Sequence, residues 1–211
     1  MKNILLIGDS IREGYDKYVK MAFEGVAGVY YPRDNCRFST YVLRHLIDWK
    51  NEYAKDVEID LIHWNAGLWD DLVMLDGLPL VDIEEYKKNI ERICNLIKTV
   101  FPQAKMIFAT STPVQEELFN FFKRYNKTTE LYNEAATKIV IAHGGEINDL
   151  YGLMNAQPVE YHSDLTHYYT KEGTEVITNQ VIRCIEKSLN IPAKPLDYDE
   201  LFSKQNGVEG L

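Results

Sequence analysis

The chain has 211 residues, and 45% of them are hydrophobic, which is typical of a single globular domain. An excess of acidic over basic residues gives a formal net charge of −9 at pH 7. This charge argues against nucleic acids and anionic membrane surfaces as partners, because both repel an acidic protein. The cysteines, at positions 36, 94 and 184, are too sparse for a disulfide framework or a CxxC metal motif.

The amino terminus carries one short apolar run, Ile4–Ile7, which ends at Gly8. This run is shorter than the apolar region of a signal peptide, and no segment of the sequence reaches the length of a transmembrane helix. The sequence therefore predicts a cytoplasmic protein. Because no convincing linker interrupts the chain, we expect one domain over residues 1–211, with a tail from about residue 192.

Apolar runs and helical stripes alternate along the chain. Runs of aliphatic, β-branched or aromatic residues predict strands at residues 4–7, 26–31, 59–64, 105–109 and 146–150. Apolar residues at helical spacing predict helices at residues 11–24, 39–52, 83–100, 126–142 and 170–189. Ser39 or Thr40 would open the second helix, and Asp82 with Glu85 would open the third as a capping box. Strands that alternate with helices predict a parallel sheet covered on both faces.

Polar residues follow the predicted strands at the points where the strands end. They are Gly8-Asp9-Ser10 after the first strand, Asn35-Cys36-Arg37 after the second, and Asn65, Gly67 and Asp70 after the third. Asp164 and His167 come shortly before the last helix. Because ligands of open parallel sheets bind at the carboxyl ends of the strands, these residues predict a site at that edge.

Ser10 is the candidate nucleophile, because it lies between a strand and a helix whose N-terminus favours developing negative charge. A serine hydroxyl needs a neighbouring base, and His167 is the candidate. Asp164 could orient the imidazole and stabilise its protonated form. Each residue alone has an ordinary alternative: Ser10 as a helix N-cap, Asp164 as a turn residue, and His167 as a surface histidine.

Gly8-Asp9-Ser10 near the start, with Asp164 and His167 near the end, resembles the GDSL or SGNH hydrolase superfamily. The resemblance spans nearly the whole chain. It implies a flavodoxin-like three-layer α/β/α sandwich without a metal or other cofactor, and a serine ester hydrolase with a Ser10–His167–Asp164 triad. The substrate would be a small-molecule ester, with small acyl groups on a polar or carbohydrate part favoured. His162 is a competing base, but its spacing to Asp164 is too short for the family pattern.

Two parts of the chain depart from this pattern. Arg37 stands where the family usually has a glycine whose backbone N–H donates to the oxyanion, and an N–H survives the change. The arginine side chain is either a solvated loop cation or directed toward an acidic partner or an anionic substrate. Trp69 replaces the usual oxyanion asparagine, so Asn65 becomes the candidate side-chain donor, with a turn-forming asparagine as the alternative. The predicted oxyanion hole thus consists of Ser10, Arg37 and Asn65.

Other side chains at this edge have structural interpretations. Asp70 would hold the third loop by hydrogen bonds, and His63 would be a satisfied sheet histidine. Trp64 or Trp69 could line an acyl or sugar pocket. Three tyrosines bracket the Asp–His loop and could stack on a sugar ring or pack on the last helix: Tyr161, Tyr168 and Tyr169.

A flavodoxin-like module that binds a nucleotide or flavin without hydrolysis is the main alternative function. Its first loop should be rich in Gly, Ser and Thr donors for phosphate, whereas Asp9 places an acid in that loop here. A non-catalytic ligand-binding relative is a third class, and the retained Ser10, Asp164 and His167 argue against it. Thioesterase, lysophospholipase and acyltransferase chemistry would use the same residues and stays open, as does the oligomeric state.

Overall fold

The computed structural model describes residues 1–206, with side chains described through residue 203. The strands are Lys2–Ile7 (β1), Ala27–Tyr30 (β2), Leu61–Trp64 (β3), Lys105–Ala109 (β4) and Glu146–Asn148 (β5). They form one sheet in the order β2-β1-β3-β4-β5, and every neighbouring pair is parallel. Helices cover both faces of this sheet, so the predicted three-layer α/β/α sandwich is confirmed.

The helices connect the strands and follow the last one. Their bounds are Ser10–Ala22 (α1), Ser39–Tyr53 (α2), Ile83–Val100 (α3), Asn126–Ala142 (α4), Leu150–Asn155 (α5), Lys171–Leu189 (α6) and Tyr198–Asn206 (α7). Two short 3-10 turns lie at Glu116–Leu118 and Val159–Tyr161. Within residues 1–206, none of the helices combines the length and the apolar composition that crossing a membrane requires.

The core has two halves, one on each face of the sheet. Successive side chains of a strand point to opposite faces, so the fully buried run of β1 contributes to both halves. Leu5 and Ile7 pack with residues of α2, α3 and α4, whereas Ile4 and Leu6 pack with residues of α1 and α6. A strand buried on both faces has to be apolar throughout, which explains the continuous run that the sequence shows.

Side-chain caps fix the start of several helices. The carboxylate of Asp82 accepts hydrogen bonds from the N–H groups of Glu84 and Glu85, as the sequence predicts for this cap. Helix α2 begins at Ser39, one of the two residues that the sequence predicts at its start. The cap position is Phe38, which makes no side-chain cap hydrogen bond, and Ser39 lies inside the helix and binds Asp70 instead.

The carboxyl-terminal part of the chain differs from its prediction. The strand predicted at 146–150 ends at Asn148, because the carboxylate of Asp149 caps the short helix α5 through the N–H of Gly152. The segment predicted as a tail includes α7. Its Tyr198 is buried and donates a hydrogen bond to Asn179 of α6, while Phe202 stacks on Tyr18 of α1.

Two crossover loops meet above the carboxyl ends of β3 and β4. Val73, in the loop after β3, forms antiparallel bridges with Pro79 in the same loop and with Lys123 in the loop after β4. The N–H of Val73 donates to the carbonyl oxygen of Lys123 at 2.8 Å. The long segment between β3 and α3 is therefore held to the segment that precedes α4.

Candidate active site

The carboxyl end of β1 passes directly into the start of α1. Asp9 is the N-cap of α1, and its carboxylate accepts a hydrogen bond of 3.0 Å from the N–H of Ile11. Ser10 is the first residue of the helix, where the backbone N–H groups point to solvent rather than to a preceding turn. Residue 8, between β1 and α1, has no room for a side chain, because a Cβ on Gly8 would lie 1.8 Å from Oδ1 of Asn65.

The structure brings Ser10, His167 and Asp164 together in one hydrogen-bonded chain. Nε2 of His167 lies 2.7 Å from Oγ of Ser10, and Nδ1 of His167 lies 2.7 Å from Oδ2 of Asp164. A carboxylate can only accept from Nδ1–H, which leaves Nε2 as the acceptor for the serine hydroxyl. This is the tautomer that a general base needs.

Asp164 also organises the loop that carries the histidine. Its Oδ1 accepts hydrogen bonds from the N–H groups of Thr166 and His167, at 2.7 and 2.8 Å. Partial burial would raise the pKa of Asp164, but these bonds and the bond from the His167 ring lower it below its ordinary value. The group is therefore a carboxylate at neutral pH and can stabilise a protonated imidazole.

Tyr169 is a part of this site to which the sequence analysis gave no definite role. Its hydroxyl donates to the carbonyl oxygen of Ser10 at 2.5 Å, and its ring stacks on the His167 ring with centroids 4.7 Å apart. The ring packs tightly on α1, since a Cβ at Gly14 would lie 2.7 Å from Cε1 of Tyr169. The glycine one turn after Ser10 was the available sequence signal for this contact.

Arg37, which stands where the family pattern has a glycine, has a backbone conformation that favours glycine. Its φ of 53° lies in the left-handed region, which residues other than glycine seldom adopt. The N–H of Arg37 already donates to Oδ1 of Asn35 at 2.8 Å. The exposed guanidinium lies over the ring of Tyr41, 4.9 Å from its centroid.

Asn65 lies directly beneath the start of α1. Its Nδ2 donates to Oδ1 of Asp9 at 2.9 Å, and the residue is 1% exposed. One amide hydrogen is used in this bond, and an amide nitrogen carries two. Trp69 is half-buried. Asp70 accepts from both the N–H and the hydroxyl of Ser39, so it ties the third loop to α2 as the sequence analysis expected.

Three buried carboxyl groups lie under this edge of the sheet. Burial raises the pKa of Asp70 and that of Asp71 to about 7, although Ser39 and Thr129 respectively donate hydrogen bonds to them. Burial also raises the pKa of Asp9. Asp70 and Asp71 are therefore partly protonated near neutral pH. In the described part of the chain, no cluster of three His, Cys, Asp or Glu side chains is arranged to hold a metal ion.

The remaining residues that the sequence analysis considered have structural roles. His63 is fully buried and bonded through its two ring nitrogens to Tyr15 and Asn148, as expected for a satisfied sheet histidine. His162 stacks on Tyr168, and its Nδ1 faces the carbonyl oxygen of Val159. Trp64 is fully buried in the core, so it cannot line a pocket open to substrate. Tyr168 is buried too, and its hydroxyl donates to the carbonyl oxygen of Pro113.

The fold is a parallel α/β/α sandwich in which a serine at the start of the first helix lies within hydrogen-bond distance of a histidine. The chain is 23% identical over 192 residues to the GDSL esterase/lipase WDL1 of Oryza sativa subsp. japonica, covering 78% of this chain and 74% of that one. Its fold is similar to the crystal structure of a lipase/acylhydrolase from Enterococcus faecalis, with a TM-score of 0.71, 19% identity, and coverage of 93% of this chain and 100% of the other.

An acetyl xylan esterase, AlAXEase, has a similar fold with a TM-score of 0.71 and 12% identity, over 87% of this chain and 99% of that one. No protein family model matches this chain. The resemblance to GDSL hydrolases that the sequence indicates is confirmed by these similarities. They support an ester-hydrolysing enzyme, which is the class that the sequence predicts.

Proposed function

We propose that this protein is a serine ester hydrolase in which Ser10 is the nucleophile, His167 the general base and Asp164 the residue that orients the base. The contact of 2.7 Å between Nε2 of His167 and Oγ of Ser10 carries the proposal. The second bond, from His167 to Asp164, supports it because it holds the productive tautomer. A cytoplasmic location and the oligomeric state stay open to experiment.

The mechanism follows from these contacts. Oγ of Ser10 attacks the ester carbonyl while its proton passes to Nε2 of His167. The protonated imidazole, stabilised by Asp164, then gives this proton to the departing alcohol, which leaves an acyl group on Ser10. A water molecule, deprotonated by the same nitrogen, attacks the acyl carbonyl. The protonated imidazole then gives this proton to Oγ of Ser10 as the bond to the acyl group breaks and the carboxylic acid leaves.

The oxyanion hole of this proposal starts with the N–H of Ser10 at the N-terminus of α1. Asn65 is the proposed side-chain donor, because one hydrogen of its amide is left after the bond to Asp9. Arg37 is the third residue of the proposed hole, but its backbone N–H already donates to Oδ1 of Asn35. An oxyanion could use this N–H only by sharing it with, or displacing, the asparagine oxygen.

The substrate proposed is an ester with a small acyl group on a polar or carbohydrate alcohol. This choice is supported by the similar fold of an acetyl xylan esterase. The alternative of a nucleotide or flavin module is less well supported, because a buried aspartate, Asp9, lies in the loop where a phosphate would need donors. An absorbance spectrum of the purified protein tests for a bound flavin.

The experiment that tests the proposal is hydrolysis of p-nitrophenyl esters of graded chain length, followed by acetylated sugars. We expect turnover by the wild-type protein, with acetate or another short ester preferred. Ser10→Ala and His167→Ala should each lose nearly all activity, and the double variant should lose little more, since the two residues act as one unit. Ser203→Ala, an exposed serine on α7, is the control.

A fluorophosphonate probe tests the nucleophile independently of the substrate, because it reacts with activated serines. Labelling of the wild-type protein at Ser10, absent in Ser10→Ala, is the expected result. Full ester hydrolysis by Ser10→Ala would reject the covalent mechanism. Absence of both labelling and hydrolysis in the folded wild-type protein would reject the proposed function.

A further inference from the structure

Arg124 lies in the crossover loop between β4 and α4, at the same edge of the sheet as Ser10. Its Nε donates a hydrogen bond of 2.7 Å to the carbonyl oxygen of Leu68, in the loop after β3. The bridge between Lys123 and Val73 fixes the preceding residue. The guanidinium lies 5.7 Å from the centroid of the Phe119 ring. Both ends of the arginine, backbone and side chain, are thus held next to the loop that contains Asn65.

The guanidinium of Arg124 has N–H donors that no acceptor in the described part of the chain uses. It is half-buried, and among the side chains described through residue 203 and the backbone of residues 1–206, only its Nε has a hydrogen-bond acceptor. No carboxylate in this part of the chain forms an ion pair with it within 4.0 Å. Arg12, which is fully buried, differs in this respect because it is paired with Asp16. The four N–H bonds on the two amino groups of Arg124 are therefore available to an acceptor from outside the protein.

The electrostatic surroundings indicate that this charge acts on the catalytic edge. Burial lowers the pKa of Arg124, and Asp71 and Asp9 offset this only in part. Burial raises the pKa of Asp9, and this rise is opposed by the hydrogen bonds from Asn65 and Ile11 and by the charge of Arg124. Because burial raises the pKa of Asp71 to about 7, that acid leaves part of the arginine charge uncompensated near neutral pH.

We propose that Arg124 binds an anionic group, a carboxylate or a phosphate, carried by the ester substrate close to its reacting carbonyl. A guanidinium offers paired N–H donors that match both anions. A partly desolvated cation without an ion pair binds an anion more favourably than a fully hydrated one does. Part of its desolvation free energy is already included in the free energy of folding. This inference rests on the proposed function and names the class of its substrate.

The test uses two pairs of esters, and the two members of each pair share the reacting ester and differ in charge. The first pair is mono-p-nitrophenyl succinate and its neutral methyl ester, which places the charge on the acyl part. The second is 1-acetylglycerol 3-phosphate and 1-acetylglycerol, which places it on the alcohol. We measure kcat and KM for the wild type, Arg124→Gln and Arg124→Lys. Lys123→Gln is the control, because Lys123 is an exposed cation of the same loop.

The expected result is that the wild type prefers the charged ester of at least one pair by about tenfold or more in kcat/KM. Arg124→Gln should abolish that preference by raising KM for the charged ester alone, Arg124→Lys should keep part of it, and Lys123→Gln should keep all of it. Thermal unfolding of each variant shows whether the loop contacts survive. With a folded Arg124→Gln protein, an unchanged preference overturns the proposal.

Two further outcomes also overturn it. If the wild type hydrolyses the neutral esters but prefers the charged ester of neither pair, Arg124 is not an anion site and the hydrolase proposal stands. If Arg124→Gln lowers kcat equally for charged and neutral esters, the arginine instead contacts the reacting carbonyl or holds the loop in place. If no ester is hydrolysed and Ser10 is not labelled by a fluorophosphonate, the proposed function fails, and this inference fails with it.

Discussion

The hydroxyl of Tyr169 donates a hydrogen bond of 2.5 Å to the carbonyl oxygen of Ser10. The same ring stacks on His167 at a centroid distance of 4.7 Å. One side chain thus contacts both the backbone of the proposed nucleophile and the face of the proposed base. Such packing limits the motion of the imidazole away from Ser10.

Tyr169→Phe removes the hydrogen bond and keeps the stacking. We expect kcat to fall about fivefold, the equivalent of about 1 kcal/mol for one hydrogen bond, with KM nearly unchanged. Steady-state kinetics with a p-nitrophenyl ester measures this. Tyr168→Phe is the matched control, because its hydroxyl also donates to a backbone carbonyl, that of Pro113. Equal losses of kcat in both variants would contradict a specific role of Tyr169.

Asp164→Asn tests the orientation of the base. An amide at this position can donate to Nδ1 of His167 and so stabilise the wrong tautomer, while its oxygen can still accept from the N–H groups of Thr166 and His167. We expect kcat to fall about a hundredfold to ten-thousandfold, with a folded protein. Thermal unfolding checks the fold. A variant with wild-type kcat would show that Asp164 only shapes the loop.

Asn65→Ala tests the proposed side-chain donor of the oxyanion hole. Loss of one such donor lowers kcat about a hundredfold to a thousandfold, with little change in KM. Trp69→Phe removes only an indole N–H and should be nearly silent. If Trp69→Phe strongly lowers kcat and Asn65→Ala leaves it unchanged, then Trp69, and not Asn65, is the side-chain donor of the oxyanion hole.

Arg37→Gly tests the left-handed backbone in the second loop. The strain of about 1 kcal/mol at a φ of 53° is relieved, and the larger entropy of glycine in the unfolded chain costs about as much. Denaturant unfolding should therefore give a free energy within about 1 kcal/mol of the wild type. Arg37→Val should be clearly less stable, because β-branched residues tolerate this conformation poorly. The reverse order would contradict the conformational argument.

The buried ionisable groups predict how stability depends on pH. Burial raises the pKa of Asp71 from 3.8 to about 7, so the folded state keeps a proton that the unfolded state loses between these values. Its contribution to stability is therefore present at pH 4 and is lost as the pH rises to 7. Burial lowers the pKa of His63 from 6.5 to about 3, so its contribution is present above pH 6.5 and is lost as the pH falls to 3.

These two trends oppose each other between about pH 4 and 6.5. Asp71→Asn removes the first of them, so its free energy of unfolding should fall more steeply than that of the wild type as the pH drops from 7 to 4. Denaturant titrations at several pH values measure both slopes. Parallel slopes would show that Asp71 does not carry the shifted pKa in the folded protein.

The sequence was sufficient for features that depend on nearby residues. A buried strand, a helix stripe and the order of Ser10, Asp164 and His167 are visible in local patterns. The remaining features depend on contacts between distant segments. The bonds from Tyr169 to Ser10 and from Arg124 to Leu68 join residues 159 and 56 positions apart. Ser39 has the composition of an N-cap, but a buried carboxylate, Asp70, binds it inside the helix instead.

The bridges that Val73 forms with Pro79 and Lys123 hold the two crossover loops above β3 and β4 together. The loop of Asn65 and the loop of Arg124 cannot be exchanged separately, because two hydrogen bonds join them: one from the backbone N–H of Val73 to the carbonyl oxygen of Lys123, and one from Nε of Arg124 to the carbonyl oxygen of Leu68. A chimera in which the loop after β3 is replaced by that of a relative should therefore also take the loop after β4 from the same relative. The proposed oxyanion donor, Asn65, and the proposed anion site, Arg124, therefore have to be redesigned together.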